Sequence, residues 1–369
     1  MTAQSTTSRP ALSRTAIGIL VVVVAFALVL LLMGVVLLLL GKDPARTLQE
    51  FIRYTMSNDQ GRADVIMTAL PLLLCASGLL VTFTAGLWNI GIEGQIVMGS
   101  IFCVGLARLV EADWNPWLVI PFELLLAMLG GALWAAVAGL LKIFGNVNEI
   151  FGGVALNFIA TNIGLWLLNG DWRESTYPQT APFEAPALLP RLGTQRLSLL
   201  AIIIAVAAFV TVFMMLRGTR WGLQLKAMGK SEKSAFLLGV RTRRNTLLSM
   251  MLCGALAGLA GAIQVLFTYG MLKPGTSGGV GFTSVLIVLL VNVQPALVPL
   301  VTLFFGLVPV GSLKLASALR EDVRVDTSLG NVFQSLLVLT VLLASGVQWR
   351  LSSRQRVRPA ESTPSPASE

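Results

Sequence analysis

The chain has 369 residues, 55% of them hydrophobic and 12% charged, with a mean hydropathy of +0.79 and a formal charge of +9. Soluble domains carry roughly 25% charged residues, so this composition excludes an ordinary water-soluble protein and makes the bilayer the solvent. Histidine is absent, which removes the commonest general base and transition-metal ligand, and the basic residues lie beside apolar runs, with no nucleic-acid module.

The first apolar run, residues 16–40, is too long for a signal-peptide core and has no small-residue cleavage site before Gly41-Lys42-Asp43, so it reads as an uncleaved anchor. Further spans are expected at 63–85, 90–110, 116–141, 150–169, 197–216, 246–268, 279–293, 296–318 and 329–347. The expected fold is therefore all-α: a polytopic membrane protein of about ten transmembrane helices. A span needs about 20 apolar residues, so 279–293 is short and reads as a broken or re-entrant element. Cys75, Cys103 and Cys253 all fall inside apolar stretches without metal-ligand spacing and read as packing residues.

Threading these spans with the N-terminus inside places most Lys and Arg on the cytoplasmic side and leaves the C-terminus there too. Residues 1–15 then form a cytoplasmic tail, 16–347 the transmembrane domain, and 348–369 a cytoplasmic, Pro/Ser/Glu-rich tail expected to be disordered. The outer loop 170–196 contains Pro178, Pro182, Pro186 and Pro190 and is expected to be an extended cover on which a partner can dock. Gly130, Gly131, Ala135, Ala138 and Gly139, and again Gly254, Ala257, Gly258, Gly261 and Ala262, have the spacing of close helix packing.

Four segments carry polar chemistry. The first is Gly86-Leu87-Trp88-Asn89-Ile90-Gly91-Ile92-Glu93-Gly94-Gln95. An ionisable side chain at membrane depth costs about 2.5–3.5 kcal/mol on insertion scales, so Glu93 must be paired or face a cavity. It is either a solute-path residue or a cap on backbone amides where one helix breaks and another begins. The second is Asn146, Asn148, Glu149, Asn157 and Asn162. Asn157 and Asn162 suit either a polyhydroxylated solute or an interhelix bond, and Asn148 with Glu149 suits an N-terminal cap.

The third segment is the cytoplasmic loop 217–245, with eight basic residues against the single acid Glu232. Its apolar residues suit short surface helices stopped by Gly229 and Gly239, which either receive a partner or lie on anionic headgroups. The fourth, residues 274–283, holds one proline and four glycines. It is expected to be a loop that enters the short element with backbone groups available to a ligand, with Phe282 beside it. The full phosphate-binding pattern G-x-x-x-x-G-K-[ST] does not occur, so ATP hydrolysis by this chain alone is not expected.

In this order the segments resemble the permease subunits of sugar and nucleoside ATP-binding-cassette importers, the branch related to ribose permeases. The motif Trp88-Asn89-Ile90-Gly91-Ile92-Glu93-Gly94-Gln95 is similar to that family's asparagine-isoleucine-glycine, glutamate-glycine-glutamine signature. Asn148-Glu149 and Leu156-Asn157-Phe158 resemble its next one. Gly218 to Gly229 followed by Ala235 to Gly239 looks like its coupling loop, although Lys230-Ser231-Glu232 replaces the usual Glu-Asn-Pro. Residues 279–290 look like its last signature, with Ile287 to Val291 departing from alanine-leucine-leucine-glycine.

The resemblance implies a permease for nucleosides in a bacterial inner membrane, working by alternating access. It also implies a separate ATP-binding-cassette ATPase, a second identical or homologous permease, and a substrate-binding lipoprotein. No catalytic residue, metal or cofactor is implied. Trp88, Asn89, Glu93, Gln95, Asn157, Asn162 and Phe282 become candidates for the solute path. Arg220, Gly222, Lys226, Gly229, Ala235, Gly239, Arg243 and Arg244 become candidates for ATPase coupling. Ribose or another simple sugar is the alternative solute. An ion-coupled secondary transporter is the alternative of another class, and it would need more ionisable residues within spans than Glu93 and Glu123 provide.

Overall fold

The structure is a computed structural model. It describes residues 43–318 except 194, with a few isolated positions between 27 and 38. The chain divides into two compact units, Met1–Leu48 with Asp326–Glu369 and Gln49–Val325, and every helix from Asp59 onward belongs to the second. The expected spans 16–40 and 329–347 and the C-terminal tail lie outside the described residues.

The described residues form helices and no strand. They are α1 Pro44–Met56, α2 Asp59–Thr84, α3 Ile92–Ala107, α4 Pro116–Gly145, α5 Glu149–Asn169, α6 Leu199–Gly218, α7 Arg220–Lys230, α8 Glu232–Leu237, α9 Thr242–Ile263, α10 Val280–Leu290 and α11 Val298–Ala318. Five helices, α2, α4, α5, α6 and α9 with its extension to Tyr269, are long and apolar enough to cross a membrane. Three further apolar elements, α3, α10 and the stretch Pro295–Gly311, are shorter. The all-helical expectation holds over 43–318, but a count of about ten spans is not reached there: five helices are long enough to cross and three apolar elements are shorter.

Start signals are local. Asn58, Asn115, Asn148, Ser198, Thr219 and Ser231 each accept a backbone N–H of the helix that follows, satisfying donors that would otherwise be orphaned. Pro116 opens α4, where its missing N–H costs nothing. Asn146 ends the same helix in the left-handed region at φ 49°. Helix α1 is not expected from the apolar runs, because it is amphipathic and carries too many polar and charged residues to read as a span.

Two helices form the centre. In α2 and α9, 89% of the apolar stretch is buried, against 33% in α4, 28% in α5 and 22% in α6. Helix α9 packs most extensively on α4, and also on α2 and α3. The small residues explain how. A methyl group on Gly131 or Gly254 would overlap the other's backbone, and one on Gly99 would overlap Gly258. The helices therefore meet backbone to backbone, which in lipid supplies the dispersion contact that hydrophobicity cannot. The apolar faces left over on α4, α5 and α6, such as Trp117, Phe122, Phe151 and Phe158, point away from this centre.

Both irregular elements sit where the sequence breaks. Helix α10 has 11 residues, about 16 Å at 1.5 Å per residue, against a hydrocarbon core of ~30 Å. It is a half-helix, as the short run 279–293 suggested. Helix α3 is also short, 16 residues, because the chain stays non-helical from Ala85 to Gly91. Helix α9 ends in a π-helical stretch, Gln264–Tyr269. The extended cover packs along it: Thr180, Phe183 and Leu189 donate backbone N–H bonds to the carbonyls of Leu272, Gly270 and Leu266. Apart from the short turn Ala185–Ala187 the cover contains no helix, as its prolines require.

Candidate functional site

Asn89, Gln95 and Asn157, from the first two segments, converge on the non-helical turn between α2 and α3. Asn89, 1% exposed, and Gln95 form a reciprocal amide pair. Asn89 Nδ2 donates to Gln95 Oε1 at 3.0 Å, and Gln95 Nε2 donates to Asn89 Oδ1 at 3.0 Å. The same Nδ2 lies 3.2 Å from Cys253 Sγ on α9. Asn157 on α5 bridges both sides of the turn, its Oδ1 accepting from Gly94 N at 2.7 Å and its Nδ2 donating to the Ile90 carbonyl at 2.9 Å. Gly153, one turn earlier on α5, lets the helix approach Gly91 backbone to backbone. Each buried amide thus has a protein partner, the condition for placing it in a low-dielectric interior.

Glu93 reaches further. Its Oε1 accepts from Gly279 N at 3.1 Å, and its Oε2 accepts from Gly281 N at 2.8 Å and Phe282 N at 3.3 Å. The carboxyl group therefore caps α10, the half-helix that begins nearly two hundred residues later. A capping role is one of the two readings the sequence leaves open; the helix that is capped is not the one the sequence suggested. A methyl group on Gly281 would strike the Glu93 side chain and backbone, so the glycine at this position is what lets Glu93 approach the start of α10. Phe282 is half exposed, and its ring is free to face a neighbouring space.

Trp88 is 45% exposed and packs on Phe83, with ring centroids 5.1 Å apart. The backbone N–H of Trp88 points at Glu149 Oε1, 3.5 Å away, while Lys142 Nζ donates to Glu149 Oε2 at 2.6 Å. Asn162 stands apart from this cluster: it is exposed, and its Nδ2 returns to the Phe158 carbonyl one turn back. It shares an outward face of α5 with Phe151, Phe158 and Trp166.

The basic loop folds as the two short helices α7 and α8. Gly239, at φ 83°, follows α8 as a stop, whereas Gly229 lies inside α7 and serves a close approach instead. A methyl group on Gly229 would overlap the Thr84 carbonyl, and one on Gly86 would come within 3.1 Å of Gly229 Cα. Leu225, Met228 and Ala235 are buried and anchor the loop, Gly222 backs onto Met215 and Leu216 of α6, and Trp221 Nε1 bonds Asn245 Oδ1 at 3.2 Å. Arg220, Lys226, Arg243 and Arg244 are exposed, as are Phe236, Leu237 and Leu238 at 66%, 84% and 80%. A cleft of about 960 Å³ runs between this loop, the Asn146–Asn148 turn and the start of α9.

Two buried polar groups have no partner among the described residues: the Glu123 carboxyl, which the sequence already places within a span, and the Trp134 Nε1, which no spacing signal marks. Among the described residues no group of His, Cys, Asp or Glu is arranged to hold a metal.

Broken helices whose ends are satisfied within the protein recur in membrane transporters. Residues 61–342 match the family described as the branched-chain amino acid transport system / permease component, and the chain belongs to that family. It is 29% identical over 84% of its length to a glucose ABC transporter permease protein of Haloferax volcanii, covering 83% of that protein. A guanosine ABC transporter permease protein of Bacillus subtilis is 29% identical over 68% of this chain and 73% of its own. A nucleoside ABC transporter permease protein of Lactococcus lactis is 25% identical over 80% of this chain and 84% of its own.

Proposed function

We propose that the chain is the membrane-spanning subunit of an ATP-driven importer for nucleosides, and that it forms the solute path by alternating access while a separate ATP-binding-cassette ATPase supplies the energy. The observation that carries this reading is the loop 217–245. It exposes basic side chains beside the apolar trio Phe236, Leu237 and Leu238 in a family whose relatives are named as ABC transporter permeases. An exposed apolar tip ringed by charge is the composition of a protein interface core with its rim. We assign this side to the cytoplasm, with both termini there, in a bacterial inner membrane.

The solute class follows from the cap on α10. The N–H groups at the start of a half-helix are a natural site for an anionic solute. Here the side chain of Glu93 already fills that place, which favours an uncharged, hydroxyl-rich solute over a phosphorylated one. Nucleosides fit better than simple sugars, because the outward face of α5 offers Phe158 and Trp166 for stacking beside the amide of Asn162. That face meets the second permease, identical or homologous, and a solute-binding lipoprotein delivers its cargo to the opposite end, over the cover 170–196.

The test is co-purification followed by ATPase measurement in proteoliposomes. A complex with an ATPase subunit whose hydrolysis rises with binding protein and guanosine or adenosine is the expected result. Stimulation by ribose or glucose and by no nucleoside overturns the solute assignment; absence of any co-purifying ATPase overturns the docking role.

A further inference from the structure

The basic loop and the turn that carries the polar cluster meet backbone on backbone. Gly229, near the end of α7, packs on the Thr84 carbonyl and on Gly86 N, and Gly86 occupies the left-handed region at φ 77°. Neither glycine tolerates a side chain there: Gly229 for lack of space, Gly86 for its backbone conformation as well.

Beyond the contact the chain is stiff. Asn89 and Gln95 lock to each other. Asn157 clamps Ile90 and Gly94. Seven residues after Gly86, Glu93 holds three amides of the α10 start. Helix α10 is in turn tied to α2, through the bond from Ser284 Oγ to the Leu72 carbonyl at 3.3 Å. At the other end α7 is not loose either, since Trp221, Asn245 and Gln224 bind it to the start of α9.

We infer that the Gly86–Gly229 contact is the joint that carries movement of the basic loop, through the turn 85–91 and Glu93, to the N-terminus of α10. Gly86 and Gly229 are then positioning residues for solute passage, although they never touch solute. The inference rests on the reading that the loop docks on an ATPase. A displaced side-chain-free joint can pass on a push without compressing a flexible rotamer, and the hydrogen bonds beyond it leave no slack segment to absorb the displacement.

The experiment uses the full complex with its co-purified ATPase in proteoliposomes and measures labelled adenosine imported per ATP hydrolysed. Gly229→Ala and Gly86→Ala are each expected to lower this ratio roughly tenfold, within the range that changes along a coupled network produce. Gly105→Ala, in α3 with open space around it and outside the docking loop, is expected to keep the wild-type ratio. An unchanged ratio in both joint variants, or an equal fall in Gly105→Ala, overturns the inference.

A second measurement needs no variant. Hydrogen exchange of the wild-type complex is compared with and without ADP–vanadate. Exchange is expected to change in 85–95 and 279–283 together with 217–245, whereas a change confined to 217–245 overturns the joint. Failure of the wild-type chain to retain an ATPase brings down the docking reading itself, and with it this one.

Discussion

The turn 85–95 and the loop 217–245 are two polar regions of a largely apolar chain, and they treat polarity in opposite ways. In the turn, Asn89, Glu93, Gln95 and the clamping Asn157 are buried, each bonded within the protein. In the loop, Arg220, Lys226, Arg243 and Arg244 are exposed, and no ion pair joins them to another described residue. A buried polar group without partners costs about 1–3 kcal/mol, whereas an exposed charge costs almost nothing. The polar groups of the turn are satisfied within the protein, whereas the charges of the loop are left to solvent, the surface we propose an ATPase occupies. Removing a side chain from the first should cost stability; removing one from the second should cost only association.

The largest expected effect breaks the comparison at the loop. Reversing Arg243 and Arg244 to Glu is expected to abolish ATPase co-purification, since like charges facing a partner cost several kcal/mol, while the melting temperature of the permease stays near wild type. Retained co-purification counts against docking there. Next, Glu93→Ala strips three backbone amides of their acceptor. It is expected to lower thermal stability and cut uptake by about tenfold or more, at 1.5–3 kcal/mol per charge-assisted bond. Glu93→Gln, which keeps an acceptor oxygen, should recover part of both, and equal damage from the two variants would remove the capping role.

A smaller effect is expected of Asn157→Ala. It loses two buried hydrogen bonds, worth about 2 kcal/mol together, read as a lower melting temperature. The smallest concerns Asn162, whose amide is exposed and bonded only to its own helix. Asn162→Ala should leave stability within about 0.5 kcal/mol and raise the KM for adenosine. An unchanged KM takes it off the solute path.

How much of this was legible in the sequence differs between the same two regions. Long apolar runs gave α4, α5, α6 and α9 with ends within a few residues, because length and hydrophobicity alone set a span. The shortness of α10 was visible as an apolar run of too few residues, and the prolines of 170–196 announced a cover without long helices. The turn was recognisable as unusual from Glu93 and its glycines, but its partners were not. The cap joins Glu93 to Gly281, and the clamp joins Asn157 to Ile90, pairings set by tertiary packing that no local spacing encodes. Gly229 misled for a related reason: a glycine near a helix end looks like a stop, and only the nearness of Thr84 and Gly86 reveals a contact. Helix α3, Ile92–Ala107, begins and ends a few residues inside its expected run 90–110.

The central claim, that this permease has no engine of its own, is tested most directly by transport in proteoliposomes holding the purified chain with or without its ATPase partner. Labelled adenosine should enter only when the ATPase and ATP are both present, and should stop when ADP–vanadate traps the complex. Uptake by the chain without the ATPase, driven by a proton or sodium gradient, would contradict the account.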